Sequence, residues 1–90
     1  MNYQKIYNQI IDRARTRKLE CYKEKHHVTP KCLGGSNSSY NLVELTAREH
    51  FICHLLLCKI YPENVKLTFA LWAMVNMCTS SQERLKISST

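Results

Sequence analysis

Thr46-Ala47-Arg48-Glu49-His50-Phe51-Ile52-Cys53-His54 carries two signals that organise the whole 90-residue chain. Thr46 with Glu49 three residues on is the pattern of a capping box, in which the hydroxyl accepts from a first-turn amide and the carboxylate reaches back to the cap amide. The helix so opened is expected to run to about Ile60, because Pro62 disfavours helical dihedrals at Tyr61. On that helix His50 and His54 stand four residues apart, one turn above the other on one face, so both imidazoles can point at one ion.

Before this helix, Asn41-Leu42-Val43-Glu44-Leu45 is short and alternates apolar with polar residues, as a return strand does. Residues 31–41 form a loop that holds both glycines, Gly34 and Gly35, beside Ser36, Asn37, Ser38 and Ser39. From Glu20 to Val28 no helical period exists, and Pro30 makes Thr29 extended or turn-like. A short strand ending near His26-His27 is the simplest reading.

All four histidines therefore fall in two close pairs. A single histidine is more often a satisfied core or surface residue; four in two clusters, with none elsewhere, point to a metal site. Neighbours on a strand send their side chains in different directions, so His26 and His27 are expected to play different parts. One can be a third ligand beside His50 and His54, while the other faces whatever the ion holds. An imidazole, which ordinarily titrates near neutrality, suits removal of a proton from water. Three protein ligands with an open position is the catalytic arrangement for zinc, whereas a closed site is structural. No fourth strong ligand has suitable spacing, Cys32 being the nearest. Glu24, two residues before His26 and on the same strand face, can serve as an acceptor that orients an imidazole.

The flanks read as helices. Residues 1–19 place Tyr3, Ile6, Tyr7, Ile10, Ile11 and Ala14 at helical spacing over 3–17, with Arg13, Arg15 and Arg17 at the far end, where cations suit the helix dipole. Pro62 suits the first turn of a further helix over 62–79, apolar nearly all round through Phe69, Leu71, Trp72, Met74, Val75 and Met77. Such a segment is either central to the core or an interface, which makes residues 65–77 a candidate homodimer surface. Residues 80–90 read as a polar tail.

The chain carries 13 lysines and arginines against 7 acidic residues, a net charge of +6. Residues 1–32 hold eight of the basic side chains against three acidic ones, a local +5, as a polyphosphate partner would want. A hydrophobic fraction of 44% with 22% charged residues fits a globular domain rather than a disordered one. The longest near-apolar run, Phe69 to Cys78, is about half the ~20 residues needed to cross a bilayer, and no secretory leader is signalled. Cys21, Cys32, Cys53, Cys58 and Cys78 are odd in number and contain no C-x-x-C pair, so reduced thiols used as small apolar residues are expected. A cytoplasmic location follows, that of the host cell if the chain is phage-encoded. Ninety residues make a single marginal domain, which a metal, a partner or a second copy would help stabilise.

Glu24–Pro30 (E-K-H-H-V-T-P), Leu33–Asn37 (L-G-G-S-N), Asn41–Leu45 (N-L-V-E-L) and Thr46–Leu57 (T-A-R-E-H-F-I-C-H-L-L-L) together resemble the HNH endonuclease family, in particular its small bacteriophage members. The resemblance spans about residues 20–61, and the flanking helices are similar to those of the phage group. It implies an α+β, mostly helical chain: a ββα-metal core of a two-stranded hairpin plus helix, flanked by an N-terminal and a C-terminal helix. It implies a metal-dependent DNA endonuclease or nickase that hydrolyses phosphodiester bonds. In that pattern His27 matches the general base, His26, His50 and His54 match the ligands of one divalent ion (Mg, Mn, Zn or Ni), and Asn41 matches the middle residue that ties the hairpin together. The ion would stabilise charge on the phosphate and on the leaving 3′ oxygen. Arg13, Arg15, Arg17, Lys23, Lys25 and Arg48 are expected to touch the DNA backbone, giving steep salt dependence and little base readout. Homing members carry a separate DNA-reading module for which this chain has no room, and phage relatives continue past a segment like Leu85-Lys86-Ile87-Ser88. The competing readings are a non-catalytic zinc-stabilised module that binds DNA or a protein, and a ribonuclease on the same fold.

Overall fold

Asn2 opens the first helix: its side-chain oxygen accepts from the Lys5 amide at 3.0 Å, and α1 runs Tyr3–Arg15 in the computed structural model, which describes residues 1–76. Arg13 and Arg15 lie in its last turn, and the Thr16 amide and hydroxyl both close back on the Arg13 carbonyl. The helix thus stops two residues short of the expected Arg17. Tyr7, Ile10, Ile11 and Ala14 form its buried stripe at the three- and four-residue spacing of one helical face.

β1 (Glu24–His27) pairs antiparallel with β2 (Leu42–Leu45), Glu24 opposite Leu45 and His26 opposite Val43. Strand alternation places Glu24, His26, Val43 and Leu45 on the buried face, and Lys25, His27, Leu42 and Glu44 on the other. The connection holds two short 3-10 turns, Lys31–Leu33 and Ser39–Asn41. Asn41, expected to open the return strand, instead closes the second turn with its side chain buried. Gly35 is required where it stands, since a Cβ there would lie 1.7 Å from the Thr29 carbonyl oxygen.

α2 (Ala47–Ile60) begins with both halves of the capping box formed: the Glu49 amide donates to the Thr46 hydroxyl at 3.1 Å, and the Thr46 amide to the Glu49 carboxylate at 2.9 Å. α3 (Val65–Asn76) starts three residues later than expected. Pro62 lies in the connecting turn, and Asn64 caps the helix through its side-chain oxygen, which accepts from the Leu67 amide at 3.1 Å. An asparagine acceptor satisfies a first-turn donor, which proline has no means to do.

The core gathers Tyr7, Ile10, Ile11 and Ala14 of α1, Val43 and Leu45 of β2, Cys53, Leu56 and Leu57 of α2, and Leu67 of α3. α3 is not its centre. Only Leu67 of that helix is fully buried, whereas Phe69, Trp72 and Val75 are exposed, because one face alone meets α2. Cys53 is buried and Cys58 half-buried, as small apolar residues would be, but Cys21 and Cys32 are exposed. Among the described residues no helix is long and apolar enough to cross a membrane. The polar tail, Met77 and Cys78 lie outside the described residues.

Candidate active site

β1 and the first half of α2 face each other across the hairpin, and this brings three histidines together. The rings of His26 and His50 are 5.1 Å apart between centroids, His26 and His54 5.3 Å, and His50 and His54 4.9 Å. One nitrogen from each lies within 4.8 Å of the other two, so the triad can hold a metal ion. Cys32, the one spoiler that the spacing suggested, is exposed and outside this cluster.

His26 is 2% exposed. Burial, with further contributions from His50, His54 and His27, pushes its pKa down to about 3, so the imidazole stays in the neutral form that ligates metals. Its Nε2 lies 2.7 Å from the Tyr7 hydroxyl, while its Nδ1 is buried and meets no hydrogen-bond partner among the described residues. A buried polar atom left in this way is costly unless something takes its lone pair. On a ring packed against two further imidazoles, a cation can do so. The donor set therefore fits a divalent ion, and three imidazole nitrogens suit zinc or nickel better than magnesium or manganese. His50 is held from behind: its Nδ1 lies 2.7 Å from a Glu24 carboxylate oxygen, and the Tyr22 hydroxyl donates to the same carboxylate. A carboxylate only accepts, so His50 Nδ1 carries the hydrogen and its Nε2 is left to ligate.

His27 points to the other face of β1, as strand alternation requires, yet lines the same cleft as the triad, a cavity of about 370 Å³. Its Nε2 lies 2.8 Å from the side-chain oxygen of Asn37. An amide oxygen accepts, so Nε2 donates and Nδ1 is the nitrogen able to take a proton. Asn41 sits behind this loop, 5% exposed, and bonds the Thr29 amide, the Thr29 carbonyl and the Ser36 carbonyl. These bonds tie the loop between the two strands to its own start.

The cations are distributed less simply than the sequence suggested. Lys25 lines the cleft, joined there by Lys31 and Lys66. Arg13 and Arg48 are exposed, and Arg15 donates to the Tyr40 carbonyl at 2.9 Å. Lys23 lies 3.6 Å from Glu44, an exposed pair of little energetic weight. Arg17 is engaged inside the protein, its guanidinium on both oxygens of Glu49 with one contact at 2.7 Å. That pairing raises the pKa of Arg17 and holds Glu49 below the usual carboxylate range. Tyr7, Tyr22, Asn37, Lys31 and Lys66 are site neighbours that sequence reasoning missed. Tyr7 was hidden because its helical spacing matches a core residue equally well, and Lys66 because its helix has no sequence link to the hairpin.

The chain is similar to probable mobile endonucleases of a phage. It is 53% identical over 90 residues to "Probable mobile endonuclease E" of Enterobacteria phage T4, an alignment covering 99% of this chain and 63% of that relative. With "Probable mobile endonuclease D" of the same phage the identity is 47% over 95 residues, covering 99% of this chain and 37% of the relative. With "Probable mobile endonuclease C" it is 39% over 90 residues, 91% and 42% respectively. The chain thus spans between about a third and two thirds of the length of these relatives. No protein-family model matches it, and no solved structure matches it significantly.

Proposed function

We propose that this chain is a metal-dependent DNA endonuclease or nickase of HNH type, with His26, His50 and His54 holding one divalent ion and His27 as general base. One observation carries the reading: three histidines converge, and the fourth lines the same cleft from the opposite strand face with its orientation held by Asn37. A purely structural metal clip has no use for that fourth, separately oriented imidazole. The similarity to proteins named as probable mobile endonucleases supports the same class and a phage setting, in the host cytoplasm.

In the reaction, Nδ1 of His27 takes a proton from a water molecule, whose oxygen attacks phosphorus as the bond to the 3′ oxygen breaks. When bound, the divalent ion supplies positive charge that stabilises the phosphate and the leaving oxygen. Lys25, Lys31 and Lys66 around the cleft, and Arg13 and Arg48 beyond it, contact backbone phosphates, which gives binding that weakens steeply with salt. Asn41 keeps the loop after His27 in place. The exposed apolar face of α3 is the surface a second copy would use, and sedimentation at increasing concentration checks it.

The deciding experiment is a supercoiled-plasmid assay with Mg, Mn, Zn or Ni, with and without chelator, beside an RNA substrate. Wild type is expected to nick DNA, and His27→Ala to lose at least about a hundredfold in rate while keeping one bound metal. Wild type that cuts in no metal, or a His27→Ala variant as active as wild type, overturns the assignment. Loss of metal and fold together in His27→Ala would support the zinc-stabilised module instead, and preferential RNA cleavage the ribonuclease.

A further inference from the structure

We propose that Tyr7, in the middle of α1, is a positioning residue of the metal centre, fixing the His26 imidazole as the tautomer whose Nδ1 is free to ligate. The proposal rests on reading His26, His50 and His54 as a metal site, and not on any reaction performed there.

The Tyr7 hydroxyl stands 2.7 Å from two atoms, the Val28 carbonyl oxygen and His26 Nε2. It has one hydrogen, and a carbonyl has none to give, so that hydrogen goes to Val28. Toward His26 the phenol oxygen can then only accept, and Nε2 must carry the ring hydrogen. A neutral imidazole has a single N–H, which leaves Nδ1 with its lone pair. Tyr7 and His26 are each 2% exposed, so bulk water does not substitute for either bond. The opposite arrangement, with the hydroxyl hydrogen on Nε2, would deprive the Val28 carbonyl of this donor. It would also turn an N–H into the cluster of imidazoles.

Each of two ligands is thereby held from behind by a different part of the chain: His50 by Glu24 of β1, and His26 by a helix outside the hairpin-plus-helix core. α1 becomes part of the metal site as well as of the hydrophobic core. Ion affinity then depends on a hydroxyl that α1 supplies. Removing such an outer partner costs roughly tenfold to a hundredfold in metal affinity.

The test uses the full chain with zinc alone as the probe. Nitrogen NMR of labelled histidine, recorded without metal near neutral pH, reads the His26 tautomer; competition with a chromophoric chelator reads affinity. Wild type is expected to show His26 protonated on Nε2. Tyr7→Phe keeps the ring, loses only the hydroxyl, and is expected to give a mixture of tautomers with zinc affinity lowered roughly tenfold to a hundredfold. Ile11→Val, which loosens the same helix one turn further along, is expected to change neither. A wild-type His26 protonated on Nδ1 overturns the proposal without need of any variant. So does a Tyr7→Phe protein with unchanged tautomer and affinity, or an Ile11→Val protein that loses as much zinc affinity as Tyr7→Phe. Failure of wild type to take up zinc would overturn the metal-site reading itself, an outcome distinguishable because the tautomer is read without metal.

Discussion

Asn41 and Thr29 hold each other through two hydrogen bonds: the Thr29 amide donates to Asn41 Oδ1 at 2.8 Å, and Asn41 Nδ2 donates to the Thr29 carbonyl at 3.1 Å. Nδ2 also reaches the Ser36 carbonyl at 2.8 Å. One buried amide therefore spans the loop between the strands and fixes the backbone two residues after His27.

Replacing Asn41 by alanine removes its bonds to one amide and two carbonyls of Thr29 and Ser36, residues at the surface end of the clamp. At about 1 kcal/mol for each lost hydrogen bond, Asn41→Ala should lose roughly 3 kcal/mol of stability. Asn41→Asp should fare no better, because it keeps the bond from the Thr29 amide but turns a negative oxygen toward two carbonyls. Urea unfolding checks both. A loss below about 0.5 kcal/mol would mean that the clamp contributes only as an ordinary surface residue does.

Gly35 backs the same clamp. A methyl group there would meet the Thr29 carbonyl oxygen at 1.7 Å and Asn41 Nδ2 at 2.9 Å, and the first is backbone that moves only if the turn moves. Gly35→Ala should cost roughly 3 kcal/mol or more, whereas Gly34→Ala meets no atom within 4 Å and is limited to the strain of a positive φ of 92°. The two variants each add one methyl and differ only in its position. Equal unfolding midpoints for the pair would show that the close approach at Gly35 does not matter.

Acid should destabilise the metal-free protein in two stages. His26 stays neutral in the fold down to about pH 3, but in the unfolded chain it protonates near 6.5. Between these values the unfolded state binds the extra proton, so stability falls as pH falls, by roughly 1.4 kcal/mol per unit at full slope. Glu49, held low chiefly by its hydrogen bonds with Arg17, adds a second loss of the same sign below its ordinary value of 4.5. Denaturation with chelator present, repeated across that range, should show the first slope in wild type and not in His26→Asn. A wild-type profile that is flat between pH 6.5 and 4.5 would contradict the burial of His26.

Much of this arrangement is legible along the chain, and the reasons are local. The capping box, the four-residue spacing of His50 and His54, and the alternation through Glu24-Lys25-His26-His27 are short-range patterns with few geometric solutions. Glu24 behind an imidazole follows from the same alternation, although the imidazole it holds is that of His50 and not a residue of its own strand. What sequence conceals is tertiary. Tyr7 meets His26 across 19 positions and Arg17 meets Glu49 across 32, and neither residue differs in spacing or type from a core aromatic or a solvated arginine. The apolar composition of α3 misleads for a related reason, since composition reports what could be buried and not which neighbour arrives to bury it.

Asn37 offers the sharpest test of the catalytic reading, because it bonds His27, the proposed general base, and lies outside the three-histidine cluster. Its amide oxygen accepts from His27 Nε2 at 2.8 Å, which leaves Nδ1 as the nitrogen that takes the proton. Asn37→Asp retains an oxygen acceptor of nearly the same shape and should keep activity within about threefold. Asn37→Leu retains only bulk, lets the imidazole rotate and exchange tautomers, and should lower kcat by roughly tenfold to a hundredfold, a fraction of what a positioned base contributes. KM and metal content should stay unchanged in both, since Asn37 lies outside the triad and outside the lysines that line the cleft. Plasmid nicking under saturating metal, with bound metal assayed alongside, separates the cases. If Asn37→Asp is as slow as Asn37→Leu, the acceptor is not what His27 requires; if both match wild type, His27 is not oriented by this bond.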